Sequence, residues 1–131
     1  MAMIKVACGL IFSNDKVLLC RRNTIKSLGG YLEFPGGKVE MDESFDTCLK
    51  RELQEELDME VDVIRHFLTV RYDYEDFSIE LISFLCNFKV STFSLTDHDA
   101  YKWVDPKSIL DCKLAPADIA VAKALMELKE A

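Results

Sequence analysis

The chain has 131 residues, half of them hydrophobic, 30% charged, with a net charge of −7. That length fits one domain, expected over residues 1–131, with enough apolar material for a core. The acidic balance argues against a long nucleic-acid polymer as partner, whose binding rests on Lys and Arg displacing counterions, and leaves room for a small phosphorylated substrate carried with a metal ion.

The five cysteines, Cys8, Cys20, Cys48, Cys86 and Cys112, are odd in number, widely spaced and free of any C-x-x-C pair. They read as small buried hydrophobes in a reducing compartment, not as a disulfide frame or a zinc site. No apolar run approaches a membrane span and no signal-peptide pattern opens the chain, so the expected location is cytoplasmic, with no membrane partner.

Ile4, Val6, Cys8, Leu10 and Phe12 alternate with Lys5, Ala7, Gly9 and Ile11. That is strand periodicity, and the second face is apolar enough to be covered as well. Ser13-Asn14-Asp15 reads as a turn into a second strand, Val17-Leu18-Leu19-Cys20, making a hairpin. Arg21 and Arg22 end it and point to opposite faces, so one can face a site and the other water. A polar loop from Asn23 to Gly30 leads to Tyr31-Leu32-Glu33-Phe34-Pro35-Gly36-Gly37-Lys38. Pro-Gly-Gly predicts an irregular backbone, its glycines allowing positive φ and close approach.

Next comes GKVEMDESFDTCLKRELQEELDM, from Gly37 to Met59. Asp42 is the expected helix N-cap, with Glu43 in the first turn. Phe45, Cys48, Leu49, Leu53 and Leu57 form an apolar stripe. Beside it, Glu52, Glu55 and Glu56 share a face, because positions three and four apart are neighbours on a helix. Three carboxylates that close repel one another, and a hard divalent cation offsets the repulsion directly.

Val61 to Tyr74 is rich in β-formers and predicts a long strand broken near Arg65-His66, with His66 structural. An acidic turn, Asp73 to Phe77, precedes a strand from Ser78 to Val90 whose core run is Leu81, Ile82, Phe84, Leu85 and Phe88. Ser91 to Ala100 reads as a polar loop holding Asp97, His98 and Asp99, and Tyr101 to Val104 as a short strand with the single tryptophan. Asp105-Pro106 predicts a capped short helix through Leu110. Ala115-Pro116-Ala117-Asp118 opens a last helix with Ile119, Ala122, Leu125, Met126 and Lys129 at helical spacing. Strands flanked by two helices give an α+β, or α/β/α sandwich, fold class.

The stretch from Gly37 to Met59 resembles the Nudix box: G, five residues, E, seven residues, then R-E-U-x-E-E-x-G-U, with U a bulky aliphatic. Gly37, Glu43, Arg51, Glu52, Leu53, Glu55, Glu56 and Met59 keep the pattern, and Asp58 stands at the position of its last glycine. That position follows the helix, where a left-handed residue is common and Asp is tolerated. LEFPGGK, just before the box, is similar to the MutT branch of the Nudix hydrolases.

The resemblance implies a mixed, partly closed sheet between helices. It implies a Mg²⁺-dependent enzyme, with Mn²⁺ as substitute, that cleaves a nucleoside triphosphate to the monophosphate and pyrophosphate. Glu52, Glu55 and Glu56 would be metal ligands, joined by the Gly36 carbonyl and by Asp97, with Asp99 as the neighbouring alternative to Asp97. Arg51 would pair with Glu43 and fix the helix start. Arg22 and Lys38 would meet the phosphates, Glu33 and Phe34 would bind substrate, and Asp118 would read the base. An ionised Asp can only accept hydrogen bonds, which favours a donor such as the cytosine amino group; the alternative role for Asp118 is a helix N-cap or first-turn residue favoured by the helix dipole. An oxidised purine nucleotide such as 8-oxo-dGTP is the other base class. Dinucleoside polyphosphates stay open through Tyr72 and Tyr74, ADP-ribose is disfavoured by the missing downstream proline, and a non-catalytic nucleotide-binding domain is the remaining alternative. The expected assembly is a monomer or homodimer.

Overall fold

The computed structural model describes residues 2–23 and 28–128. Residues 24–27 of the polar loop, and Lys129 of the last apolar stripe, lie outside the described residues. The elements are β1 (Ala2–Ser13), β2 (Lys16–Arg22), β3 (Leu32–Glu33), β4 (Gly36–Lys38), α1 (Phe45–Leu57), β5 (Met59–Asp73), β6 (Phe77–Ser91), β7 (His98–Val104), a short 3₁₀ helix (Pro106–Asp111) and α2 (Pro116–Met126). Among the described residues no helix is long and apolar enough to cross a membrane.

The sheet is mixed. Its spine is β1, which runs parallel to β6 from Ala2↔Phe77 to Phe12↔Asn87 and antiparallel to β4 at Val6↔Lys38 through Cys8↔Gly36. β2 leaves β1 through a tight turn in which Asn14 (φ 52°) and Asp15 (φ 65°) are both left-handed. Two such residues give the hairpin turn whose twist matches the flanking strands. β2 then pairs with β3 and β7, and β5 lies outside β6.

Alternation along β1 and β2 puts apolar side chains on both faces, and each face is covered. Ala7, Ile11, Leu18 and Cys20 pack with Cys48, Leu49, Leu53 and Leu57 of α1. Cys8, Leu10, Val17 and Leu19 pack with Ala117, Val121, Ala122 and Leu125 of α2 and with Ile109 of the 3₁₀ helix. Each fully buried Leu contributes about 1.5–3 kcal/mol relative to exposure. The result is the expected helix–sheet–helix layering, with α1 locked on one face by the stripe that adjoins its carboxylates. Phe45 departs from that stripe: it is 36% exposed, with the Lys5 ammonium over its ring.

Several local expectations are corrected. The N-cap of α1 is Ser44, whose hydroxyl accepts from Thr47 N–H, and Asp42 instead takes a left-handed conformation (φ 64°) two residues earlier. Glu43 therefore precedes the helix, and the first turn carries Asp46. β7 begins at His98, three residues before the expected start, because its backbone pairs with Arg22 and Arg21 of β2 whatever its polar side chains do. The break expected in β5 is present as register shifts at Glu60/Val61, Val63/Arg65 and His66/Leu68. Neither Gly36 nor Gly37 has positive φ. They are glycines for lack of space: a Cβ on Gly36 would lie 1.9 Å from the Ala7 carbonyl oxygen.

That contact is backbone against backbone in the middle of β1, with no flexible side chain to yield. Gly36→Ala is expected to destabilise the fold by about 3 kcal/mol or more. Urea unfolding followed by circular dichroism measures it; Gly30→Ala, where nothing lies within 4 Å but φ is +86°, should cost only about 1 kcal/mol.

Candidate active site

The loop from β3 to β4 lies on β1 and carries Gly37 against α1, where a Cβ would fall 2.2 Å from the Glu52 carboxyl carbon. This closeness brings the end of the glycine turn to the carboxylate face. The cleft so formed has a volume of about 640 Å³. Glu52, Glu56 and Asp97 line it on one side, Arg22, Glu33 and Asp118 on another, and Gly36, Gly37 and Lys38 form its lip. A larger groove, of about 840 Å³, lies between the β1–β2 turn and the end of α2. It touches neither the glycine turn nor the box carboxylates, so the chemistry selects the smaller cleft.

Arg51 organises the carboxylates. Its Nε donates to Glu43 Oε2 at 2.6 Å and its Nη2 to Glu43 Oε1 at 3.0 Å, a bidentate fork across eight residues. Nη1 donates to Glu52 Oε2 at 3.0 Å and to Glu55 Oε1 at 3.2 Å, and Nη2 also reaches the Lys38 carbonyl at 3.2 Å. The predicted Arg51–Glu43 pair is thus present, and it ties the lip of the cleft to the helix. The fork, with the Glu40 backbone N–H, holds the Glu43 carboxyl down at about 2. Glu55 is not among the residues lining the cleft and its side chain is 59% exposed, whereas Glu52 lines the cleft with its side chain 15% exposed.

Glu56 has no such cation. It is buried, and its Oε1 has no hydrogen-bond partner among the described residues. Burial first, then a hydrogen bond with Asp97 and the charges of Glu52, Asp97 and Glu33, pushes its pKa up to about 9. Burial and the neighbouring acids thus favour a proton held between Glu56 and Asp97. Among the described residues no three acidic, His or Cys side chains close into a metal cage by themselves. Mg²⁺ does not need one, since it is held by one or two carboxylates, waters and substrate phosphates. A buried carboxyl with an unmet oxygen, facing two other acids, fits a hard cation that would replace the shared proton.

The other side of the cleft is organised by Glu33. Arg22 Nη1 lies 3.3 Å from both Glu33 oxygens, and His98 Nε2 lies 2.8 Å from Oε2. The adjacent arginines do part: Arg21 pairs with Asp99 at 2.6 Å outside the cleft lining. Of the two acids considered before the Trp103 strand, Asp97 therefore lines the cleft and Asp99 is engaged elsewhere. His98 is the residue that sequence reasoning missed. It is buried, and only its place beside Asp97 signalled it. The N-cap of α2 is Ala115, without a side-chain bond, and Asp118 is the acidic residue of the first turn, the second of the two structural places expected for it. Asp118 Oδ2 accepts from Phe34 N–H at 2.8 Å, joining α2 to the glycine loop. Burial, then the charge of Glu33, raises its pKa well above the usual carboxylate range.

Comparison with known proteins agrees with this geometry. The NUDIX domain family profile matches residues 3–127. The chain belongs to the Nudix hydrolase family. Nudix hydrolases generally work with a divalent metal ion. The chain is 36% identical over 131 residues to the CTP pyrophosphohydrolase of Escherichia coli K12, covering 100% of this chain and 97% of that protein. It is 37% identical over 83 residues to an 8-oxo-dGTP diphosphatase of Proteus vulgaris, 63% of this chain and 74% of the relative. Among solved structures, the E. coli ORF135 protein superposes with a TM-score of 0.83 at 35% identity, over 98% of this chain and 91% of that one. The MutT protein of Methanosarcina mazei Go1 superposes with a TM-score of 0.87 at 25% identity, over 96% and 94%.

Two acids of this Nudix site should give opposite slopes to stability against pH. Glu43, held below its ordinary value near 4.5, adds stability above that value, which is lost as pH falls toward about 2. Glu56, raised from 4.5 to about 9, adds stability that is full below 4.5 and lost as pH rises toward 9. Thermal melts of the metal-free protein should therefore show Glu43→Gln flattening the acid limb. Glu56→Gln should melt above wild type near pH 8, the gap closing toward pH 5.

Proposed function

We propose that this Nudix hydrolase, acting as one domain over residues 1–131, cleaves a nucleoside triphosphate to the monophosphate and pyrophosphate with Mg²⁺, Mn²⁺ substituting. Removal of unwanted nucleotides from the cellular pool is the role this fits. The observation that carries the reading is a buried Glu56, its Oε1 without a hydrogen-bond partner among the described residues, set with Glu52 and Asp97 in a cleft that also holds Arg22 and Lys38. The names of its relatives, CTP pyrophosphohydrolase and 8-oxo-dGTP diphosphatase, support a nucleotide triphosphate as substrate.

Glu52, Glu55, Glu56 and Asp97, with the Gly36 carbonyl, would hold the metal. When bound, the metal neutralises phosphate oxygens and lowers the pKa of a water. The remaining roles belong to the chain. Arg22, steered by Glu33, and Lys38 place positive charge against the phosphates, the guanidinium offering paired donors. Arg51 keeps Glu52 turned to the cleft and Glu43 at its lip. Phe34 and Asp118 form the far wall, where a base would lie. One Asp118 oxygen is occupied by Phe34 N–H, so the other is left for a base: as a hydroxyl it donates, as a carboxylate it accepts. Cytosine and oxidised guanine are the two classes it would sort.

Pyrophosphate release from a panel of ordinary and oxidised nucleotides with Mg²⁺ tests the reaction. Glu56→Gln should lower kcat at least about 100-fold, beyond what groups merely supporting a metal ligand cost. A change within a few-fold would refute the assignment. Asp118→Asn should shift kcat/KM between cytosine and oxidised-guanine substrates by about 5- to 150-fold, the range for one mismatched buried hydrogen bond. A uniform fall across bases would make Asp118 an anchor for Phe34 only.

A further inference from the structure

We propose that Asp58 is a positioning residue of the active site: its carboxylate latches the end of α1 to the loop of residues 92–97 and so sets where Asp97 stands against Glu56. The inference rests on the reading of Asp97 as a site acid.

Asp58 ends α1 in the left-handed conformation (φ 50°, ψ 51°), and its backbone N–H already caps the helix on the Gln54 and Leu53 carbonyls. The side chain is therefore not needed for the cap. A side chain of any kind is disfavoured in that conformation, where glycine fits best. Both carboxylate oxygens are nevertheless engaged. Oδ1 accepts from Gln54 Nε2 at 2.6 Å and Oδ2 from Thr92 Oγ1 at 2.9 Å. The first bond stays within the helix end; the second reaches 34 residues along the chain to the first residue of the loop.

The loop is fixed from that point on. Thr92 N–H approaches the Asp58 carbonyl at 3.4 Å. Ser91 Oγ donates to the Leu57 carbonyl at 2.8 Å and accepts from Phe93 N–H at 2.9 Å. Phe93 is itself left-handed (φ 53°), and its ring stacks on Tyr101 at 4.0 Å and 14°. Leu95 packs against the core under α1. At the far end the Asp97 carbonyl accepts from Asn23 N–H at 3.2 Å, and the Asp97 side chain meets Glu56. Glu56 and Asp58 are two residues apart. One helix end thus grips the loop at its start through Asp58 and receives its acid through Glu56. Removing the Asp58 carboxylate leaves the cap, the core and the backbone bond from Thr92 N–H to the Asp58 carbonyl intact, and takes away the side-chain tie that orients Thr92 at the start of the loop.

The test uses the full chain, with Asp58→Gly, Thr92→Val, the double variant, Asp58→Asn and Asp97→Asn. Each is read by kcat and KM with CTP and Mg²⁺, by Mn²⁺ affinity from the electron paramagnetic resonance signal of free Mn²⁺, and by Tm. Asp58→Gly should keep or raise Tm, lower kcat on the order of tenfold, weaken Mn²⁺ binding by a similar factor and leave KM within about twofold. Thr92→Val should do the same, the double variant should be no worse than either, since the two share one bond, and Asp58→Asn should recover most of the loss. Wild-type kcat and Mn²⁺ affinity in Asp58→Gly would make Asp58 a helix terminator and overturn the latch. Impaired Asp97→Asn beside a normal Asp58→Gly sinks the latch alone; a silent Asp97→Asn sinks the reading of Asp97 and the latch with it.

Discussion

A guanidinium has five N–H donors, and Arg51 directs them to Glu43 twice, Glu52, Glu55 and the Lys38 carbonyl. Its donor capacity ends there. Glu56, on the same helix and deeper in the protein, receives none. At a separation of 4 Å and an effective dielectric near 20, two like charges cost about 4 kcal/mol. A third carboxylate beside Glu52 and Asp97 therefore resists ionisation, and none of these Arg51 donors reaches it. Burial and the neighbouring acids favour a proton held between Glu56 and Asp97, the arrangement that a metal ion and its phosphates would replace.

The same cluster depends on a spatial constraint from the glycine turn. Gly36 sits on the backbone of Ala7 and Gly37 on the carboxyl of Glu52, so the turn meets β1 backbone to backbone and meets α1 through the Glu52 side chain. α1 in turn is held by Leu49, Leu53 and Leu57 on the face of the sheet that it covers. Packing and chemistry use adjacent stripes of one helix. Displacement of the apolar stripe would carry Glu52 and Glu56 with it.

The helix, its apolar stripe, the alternation of β1 and the acid cluster were legible in the sequence because each is a local pattern with its own period. So was the left-handed end of the helix at Asp58, which a residue tolerant of positive φ announced. The start of the helix was not: Asp42 and Ser44 both suit a cap, and Ser44 takes the place while Arg51 holds Glu43 over the turn before it. The glycines were legible as special, but their reason is crowding against β1 and α1, which is a tertiary fact. The parallel pairing of β1 with β6 joins residues some 75 apart and has no local signature. His98 escaped notice because its environment is made by Glu33, 65 residues away. Asp118 was read as a helix cap or a base reader. Its bond to Phe34 N–H and its burial became visible only once α2 was laid against the glycine loop.

The proton shared by Glu56 and Asp97 gives the account its most direct test. Binding of Mg²⁺ near pH 7.5 should release about one proton per ion, because the cation takes the place of that proton. Calorimetric titration in buffers of different ionisation heat counts the protons, first with wild type and then with Glu56→Gln. The account predicts about one proton released by wild type and close to none by Glu56→Gln. Metal binding by wild type without proton release would contradict it, since Glu56 would then already be ionised and balanced by some other charge.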